Sequence, residues 1–394
     1  MAKAALWALA ALVLAGGALL ALSYARTDTY LGRWFAWRAS DVGDAARFAS
    51  RQIARSPTPR PLPAAATPLS SGPVRTTWRG AETVEELPAL LERTGTAALV
   101  VVQGDEVVLE WYAPGRTRSD PVTSFSIAKS ITALLVLSAV ADGSVGSIDD
   151  PVTAYLPELA EQDPRYHQLT LRHLLNMRSG VRFRDHDLPW GDKARVYYEP
   201  RLRELVLSLP MVFQPGERFA YNSYNPVLLG LVLERATGME PARYLEQRLW
   251  APLGAEYAAS WSVSRPGETL PKMESGVNAT PVDFGKLGLA LLAGAADRVG
   301  TAPAPPVLAT TLLAEALPVD PLLPNDLRYA FGWWVPPRAG AGLQPVAATG
   351  HLGQYLYVYP DQGVVVARFG ARVGKLDSWR TVFDQLVEAA AAAR

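Results

Sequence analysis

The stretch TSFSIAKSITALLVLSAVA, residues 123–141, sets one charged side chain, Lys129, among apolar and hydroxylated residues, in a chain with only six lysines. Residues 126–141 are apolar almost all the way round, the mark of a helix buried on every side. Burial disfavours the charged form of an amine, so a lysine in such a helix can serve as a base near neutral pH. Ser126 lies three residues earlier, and positions i and i+3 of a helix share a face, with Cβ atoms about 5–6 Å apart. A hydroxyl and a neutral amine within reach form a nucleophile–base pair. Ser126 also falls in the first helical turn, where unpaired amide donors and the helix dipole favour an anion, as an acyl-transfer oxyanion requires.

By itself S-x-x-K is common, with about one expected by chance in a chain of this length. The competing reading makes Ser126 a helix cap and lets Lys129 reach the surface along its stem. Two later stretches weigh against it. GERFAYNSYNPVLLGLVLERATG (216–238) sets Tyr221, Asn222, Ser223 and Asn225 just before an apolar helix. ATGHLGQYLYVYP (348–360) places His351 and Gly353 at the start of a late strand.

The elements that must position these residues read as strands, then helices, then strands. AALVVVQ (97–103) and EVVLEWY (106–112) flank Gly104-Asp105, a turn pair suited to a hairpin. YAFGWWV (329–335), QYLYVYP (354–360) and GVVVARFG (363–370) read as further strands, the last two joined by Pro-Asp-Gln-Gly. Between the two groups, helical patterns cover 126–141, 170–178, 200–209, 224–237, 241–249 and 280–294, and an Ala-rich helix at 377–393 closes the chain. The expectation is an α+β fold: one antiparallel sheet built from both chain ends, with helices on its faces and a large helical insertion.

At 394 residues and 49% hydrophobic content the chain can bury a sizeable core. A net charge of zero without basic blocks names no nucleic-acid partner. With no cysteines and four histidines, none in HExxH spacing, neither thiolate chemistry nor a metal site is expected, and no cofactor is implied.

After Lys3, residues 4–25 carry no charge, and about 20 apolar residues suffice to cross a bilayer. Residues 1–25 are therefore expected to be a membrane anchor or signal segment, and the length of the run favours an uncleaved anchor over a cleaved signal. Arg26, Arg33 and Arg38 follow it, which opposes export of the bulk by charge bias. The reading nonetheless keeps the protein facing the periplasm or exterior, or secreted if the segment is cleaved. Residues 26–75 are expected to be a juxtamembrane and Pro-rich linker, with TYLGRWFAWRAS fit for a membrane interface or an ordinary loop and 56–73 an extended spacer. The folded domain would then span 76–394.

The order SIAK (126–129), YNS (221–223) and HLG (351–353), with LTLRHLLNMRSGV (169–181) between, resembles the serine β-lactamase and penicillin-binding-protein superfamily, in its esterase, class C and 6-aminohexanoate-dimer hydrolase branch. The resemblance spans about 76–390. It implies a serine hydrolase in which Ser126 attacks a carbonyl, while Lys129 and Tyr221 share the proton transfers. It also implies an oxyanion hole made by the backbone amides of Ser126 and Gln354, each donor worth about 3–4 kcal/mol. Ser223, His351, Gly353 and Trp190 would bind substrate, a small-molecule ester or amide.

His351 stands where the family's triad carries a lysine that holds a substrate carboxylate, and Ser223 replaces the usual asparagine. Both departures argue against a β-lactamase or D-Ala-D-Ala carboxypeptidase, the alternative within catalysis. No S-D-N motif or class A deacylation glutamate is marked. A non-catalytic penicillin-binding-like module is the alternative of another class. Aromatic residues in DLPWGDKARVYYEP (187–200) and GWWVPP (332–337) either wall a pocket or pack structurally, and His186-Asp187 is not needed as a triad remnant beside a buried lysine.

Overall fold

Long β-branched runs at the two ends of the chain make the central strands, and they pair with each other. In the computed structural model, which describes residues 26–292, 327–338 and 342–393 together with positions 7, 16 and 17, seven strands form one antiparallel sheet. Its order is Glu106–Tyr112, Thr96–Gln103, Val364–Gly370, Gln354–Tyr359, Val346–Gly350, Trp333–Val335, Arg328–Ala330. The join between the chain ends runs down its middle, with Val366 opposite Val101 and Ala367 opposite Val100.

Alternation then decides the two layers. Leu99, Val101, Val364 and Val366 face the Ala-rich helix Arg380–Ala392, which buries Val382, Phe383, Leu386, Val387 and Ala390 at helical spacing. Val100, Val102, Val365 and Ala367 face the main core, with the helices Ile127–Ala141, Tyr224–Thr237 and Pro281–Leu289. The α+β architecture expected from the sequence is the one observed.

The expected strand 329–335 is interrupted. Phe331 (φ 46°) and Gly332 (φ 81°) turn the chain, so the run becomes a tight hairpin. Its tip presses on the first turn of the Ser126 helix: Ser130 Oγ donates to the Gly332 carbonyl at 2.6 Å. A Cβ on Gly332 would lie 2.8 Å from the Lys129 carbonyl oxygen.

Several elements were not anticipated. A four-stranded sheet, in the order Ser50–Ile53, Ala259–Ser262, Val277–Ala279, Val122–Thr123, ties the nucleophile loop to the N-terminal segment. A hairpin of Pro73–Trp78 with Ala81–Glu86 precedes the main sheet.

The stretch expected as a linker is part of the body. Residues 56–73 are extended but pinned: Ala65 N donates to Val107 O at 2.9 Å, Val107 N to Pro63 O at 2.8 Å and Leu69 N to Val108 O at 2.7 Å. This covers the edge strand 106–112, whose backbone groups would otherwise stay unpaired. The helix Tyr30–Trp37 is capped by Thr29 and docks on the 187–198 segment. Residues 26–75 thus pack on the domain expected to begin at residue 76.

The membrane expectation is corrected as well. Among the described residues no helix is long and apolar enough to cross a membrane, so the membrane partner, the signal-anchor reading and the periplasmic or exported location are withdrawn. The stretch 4–25 that suggested them lies outside the described residues except for Trp7, Gly16 and Gly17. The aromatic density of 30–37, read as interfacial, serves internal packing instead: Trp37 meets Phe48 and Tyr198 edge-on at 5.0 and 6.1 Å.

Replacing Gly332 by Ala should lower stability by at least about 2 kcal/mol, since it adds a positive-φ penalty to a clash with helix backbone. Urea unfolding of the purified chain measures it.

Candidate active site

Ser126 caps the helix Ile127–Ala141, and the residue before it, Phe125, has φ 42°. A positive φ is a marked outlier for a bulky side chain and costs about 1–3 kcal/mol. It is held by the neighbouring strand, because Ser124 N donates to Val277 O at 2.8 Å and Ser124 Oγ accepts from Val277 N at 3.0 Å. The tight turn exposes the Ser126 side chain at the mouth of a cavity while Ile127, Ala128 and Lys129 behind it are buried.

Lys129 is 4% exposed. Its Nζ donates to Ser126 Oγ at 2.9 Å and to the Glu274 carbonyl at 3.1 Å. It also lies 5.0 Å from the centroid of the Tyr221 ring. Snorkelling to the surface, the bland alternative for this lysine, is not what the side chain does.

Tyr221 is fixed by aromatic packing. It stacks on Trp334 at 5.6 Å and meets Tyr329 edge-on at 6.0 Å. The loop behind it hangs on Met177, another positive-φ residue (φ 57°), whose carbonyl accepts from Ala220 N at 2.8 Å. Asn222 and Asn225 are structural: Asn222 Nδ2 donates to Val181 O at 2.9 Å, and Asn225 Oδ1 accepts from Ser179 Oγ at 2.8 Å. Ser223 caps the helix Tyr224–Thr237 and lines the cavity.

The third motif closes on the first at short range. A Cβ on Gly350 would sit 2.4 Å from the Ser124 carbonyl oxygen, so only glycine lets this strand end lean on the nucleophile loop. The chain then turns through Leu352 (φ 62°) and Gly353 (φ 83°) into Gln354. The Gln354 side chain braces this turn, donating to His351 O at 2.9 Å and to Gly370 O at 2.7 Å. Beneath it lies Arg368, with no exposed surface, donating to Gly353 O at 2.6 Å and to Thr96 Oγ1 at 2.8 Å. Burial pushes the pKa of this guanidinium down to about 10.

Ser126, Lys129, Tyr221, Ser223 and His351 converge on one cavity of about 1030 Å³. Gly353 and Gln354, in the turn that follows His351, are not among the residues that line it, and Gln354 lines a separate cavity. Trp190 is not brought in. It is 61% exposed and does not line the cavity, and neither does His186 beside it.

Sequence reasoning missed the wall opposite the serine. Trp34, Phe35 and Arg38 of the N-terminal segment line the cavity, with Phe183 and Tyr197 from the insertion. It also missed Lys272 and Glu274, a buried ion pair 3.0 Å apart directly behind Lys129. Lys272 donates to the Tyr197 carbonyl at 2.7 Å, and burial lowers its pKa against the opposing pull of Glu274. The scarcity of lysine is the signal that would have found it: Lys129, Lys272 and Lys286 are all buried.

His351 meets Phe125 edge-on at 5.5 Å. Desolvation by the surrounding protein, followed by the nearby Lys193 ammonium, pushes its pKa below the ordinary imidazole value, with Asp187 opposing. A lowered pKa means that the ring is neutral at pH 6.5 and above and gains its charge only as pH falls through the depressed value. The KM of a carboxylate-bearing ester relative to its neutral isostere should therefore drop only below pH 6.5, and His351→Gln should flatten that dependence. Paired pH–KM profiles of the two esters check it.

Comparison with known proteins agrees with this geometry. The chain is 27% identical over 316 residues to a 6-aminohexanoate-dimer hydrolase of Paenarthrobacter ureafaciens, covering 75% of each chain. It is 30% identical over 216 residues to a lovastatin esterase of Penicillium rubens, covering 49% of this chain and 52% of that one. A solved structure of a provisionally assigned 6-aminohexanoate-dimer hydrolase from Bacillus anthracis superposes with a TM-score of 0.75 at 20% identity, over 88% of this chain and 91% of the other. The sequence pattern of the Beta-lactamase family matches residues 81–391. The chain belongs to that family, as a serine hydrolase of the type that cleaves ester and amide bonds.

Proposed function

We propose that Ser126 is the nucleophile of an acyl-enzyme cycle acting on an ester or linear amide. The observation that carries this reading is the 2.9 Å separation between Lys129 Nζ and Ser126 Oγ at the mouth of the cavity. In this reading the Oγ proton passes to Lys129 Nζ over that distance as Oγ bonds to the substrate carbonyl carbon. The oxygen that becomes negative is met by the backbone amides of Ser126 and Gln354. Tyr221, with its ring over Lys129, passes a proton to the departing alkoxide or amine. Water then adds to the acyl carbon, losing its proton to the same Lys129–Tyr221 pair, and Ser126 Oγ leaves with a proton restored.

Substrate class follows from what surrounds the serine. His351 offers no fixed cation near neutral pH, so a substrate carboxylate gains little there. This argues against penicillins and D-Ala-D-Ala ends, while the names carried by the Paenarthrobacter and Penicillium relatives point to a linear amide or an ester as the scissile bond. Hydrolysis of a 6-aminohexanoate dimer and of short p-nitrophenyl esters, with nitrocefin turned over far more slowly, is the expected pattern. Nitrocefin turnover matching that of the esters would reverse the assignment of substrate.

A fluorophosphonate probe should label the wild-type protein and spare Ser126→Ala, and equal labelling of both would remove Ser126 as nucleophile. Lys129→Arg should lose at least about 10³-fold in the acylation rate, because a guanidinium keeps its proton in a protein and cannot act as base. Pre-steady-state release of p-nitrophenol reads that rate directly.

A further inference from the structure

Some of the residues that share the cavity with Ser126 come from outside the part of the chain that matches the family. The match begins at residue 81, yet Trp34, Phe35 and Arg38 line the same cavity as Ser126 and Lys129. Resting on the hydrolase reading above, we propose that the helix Tyr30–Trp37 is the specificity-determining wall of the site, and that it takes up a large apolar group of the substrate.

Three observations carry this. The helix is held in place over the site and not merely near it. Tyr30 Oη donates to Pro189 O at 2.8 Å and Trp34 Nε1 to Asp187 O at 3.0 Å, so both bonds go to the loop whose Asp187 also lines the cavity. Arg33, 6% exposed, donates to Ser264 O at 2.6 Å, and Tyr198 Oη donates to the Arg38 carbonyl at 2.6 Å where the helix ends. An eight-residue helix does not persist alone in water, and these bonds supply its tertiary support.

The chemistry of the wall is the second observation. Trp34 and Phe35 meet Phe125, Phe183 and Tyr197 around one space. Phe125 and Tyr197 stack with their rings 6.3 Å apart. Their faces offer contact area and no charge, the lining suited to an alkyl chain or a ring. Apart from the buried Lys129 and Glu274, the charged lining groups Arg38, Asp185, Asp187 and Lys193 are exposed, and Lys193 Nζ reaches Asp187 Oδ2 at 2.9 Å.

Size is the third. About 1030 Å³ is at the upper limit of the ~300–1,000 Å³ usual for small-molecule pockets. An acetyl or short acyl group attached to Ser126 would leave the aromatic half of that space to water. The site is therefore shaped for a substrate whose scissile bond lies at Ser126 and whose apolar part extends to Trp34 and Phe35.

The test compares selectivity, not rate. Two substrate series are needed, p-nitrophenyl octanoate against acetate for the acyl side and hexyl against methyl acetate for the alcohol side. In one of them the long-over-short ratio of kcat/KM should exceed one for the wild type. Trp34→Ala and Phe35→Ala should each lower that ratio about fivefold or more, through KM of the long substrate. Trp34→Leu, which keeps an apolar contact for the fold, should give a smaller fall in the same series. Ratios within threefold of wild type in both series for all three variants overturn the proposal. Equal loss on long and short substrates also overturns it, since that marks a structural role only. Fluorophosphonate labelling of Ser126 separates the two levels. If labelling persists while selectivity does not move, the wall fails and the hydrolase reading stands; if the wild type is not labelled, both fail.

Discussion

The burial of one ammonium stem at the start of the central helix is the constraint around which the site is arranged. Lys129 is almost without solvent contact, so its polar end must find partners inside the protein. It has two, the Ser126 hydroxyl and the Glu274 carbonyl. The first makes chemistry available, and the second fixes where the amine sits. Glu274 is in turn held by Lys272, and Lys272 by the carbonyl of Tyr197 in the cavity wall. A chain of charged and carbonyl contacts thus runs from the insertion to Ser126, with Glu274 Oε2 left without a hydrogen-bond partner among the described residues.

Backbone strain is concentrated at the same place. Phe125, Met177, Phe331 and Leu352 all have positive φ without being glycine. Phe125 precedes the nucleophile, Met177 carries the Tyr221 loop, Phe331 shapes the hairpin against Lys129, and Leu352 lies inside the HLG turn. Such conformations persist only where surrounding structure over-determines them. Here the supports are visible: Val277 for Ser124, Asn176 Oδ1 accepting from Phe331 N at 2.9 Å, and Arg368 under Gly353. Close glycine contacts at Gly332 and Gly350 then bring the three motif-bearing segments together.

Much of the fold was legible because the sheet is made of long, β-branched, alternating runs and the insertion of long apolar helices. Periodicity reports such elements directly. The 329–335 run was misread as one strand because its turn is made by Phe331 and Gly332, and a single glycine in an aromatic run carries little turn signal. The strands 50–53, 122–123, 259–262 and 277–279 are only two to four residues long, too short for a period to register. The N-terminal segment was misread for a related reason: aromatic and basic residues look alike whether they pack on a membrane surface or on Tyr198, Phe48 and the cavity rim.

For the site, the sequence by itself pointed to the chemistry proposed. A serine three residues before a lysine in an all-apolar helix already implied both a nucleophile and a base, because helical geometry makes those positions neighbours. The ordered tyrosine and HLG segments carried the family. What only the tertiary structure decided is the company these residues keep. Trp190 does not line the cavity, while Trp34 and Phe35, some 90 residues upstream of Ser126, do. The Lys272–Glu274 pair reaches Lys129 across 145 positions of chain. Local periodicity is a property of neighbours along the chain, whereas a cavity is enclosed by whichever distant surfaces packing brings together, and no spacing rule encodes that.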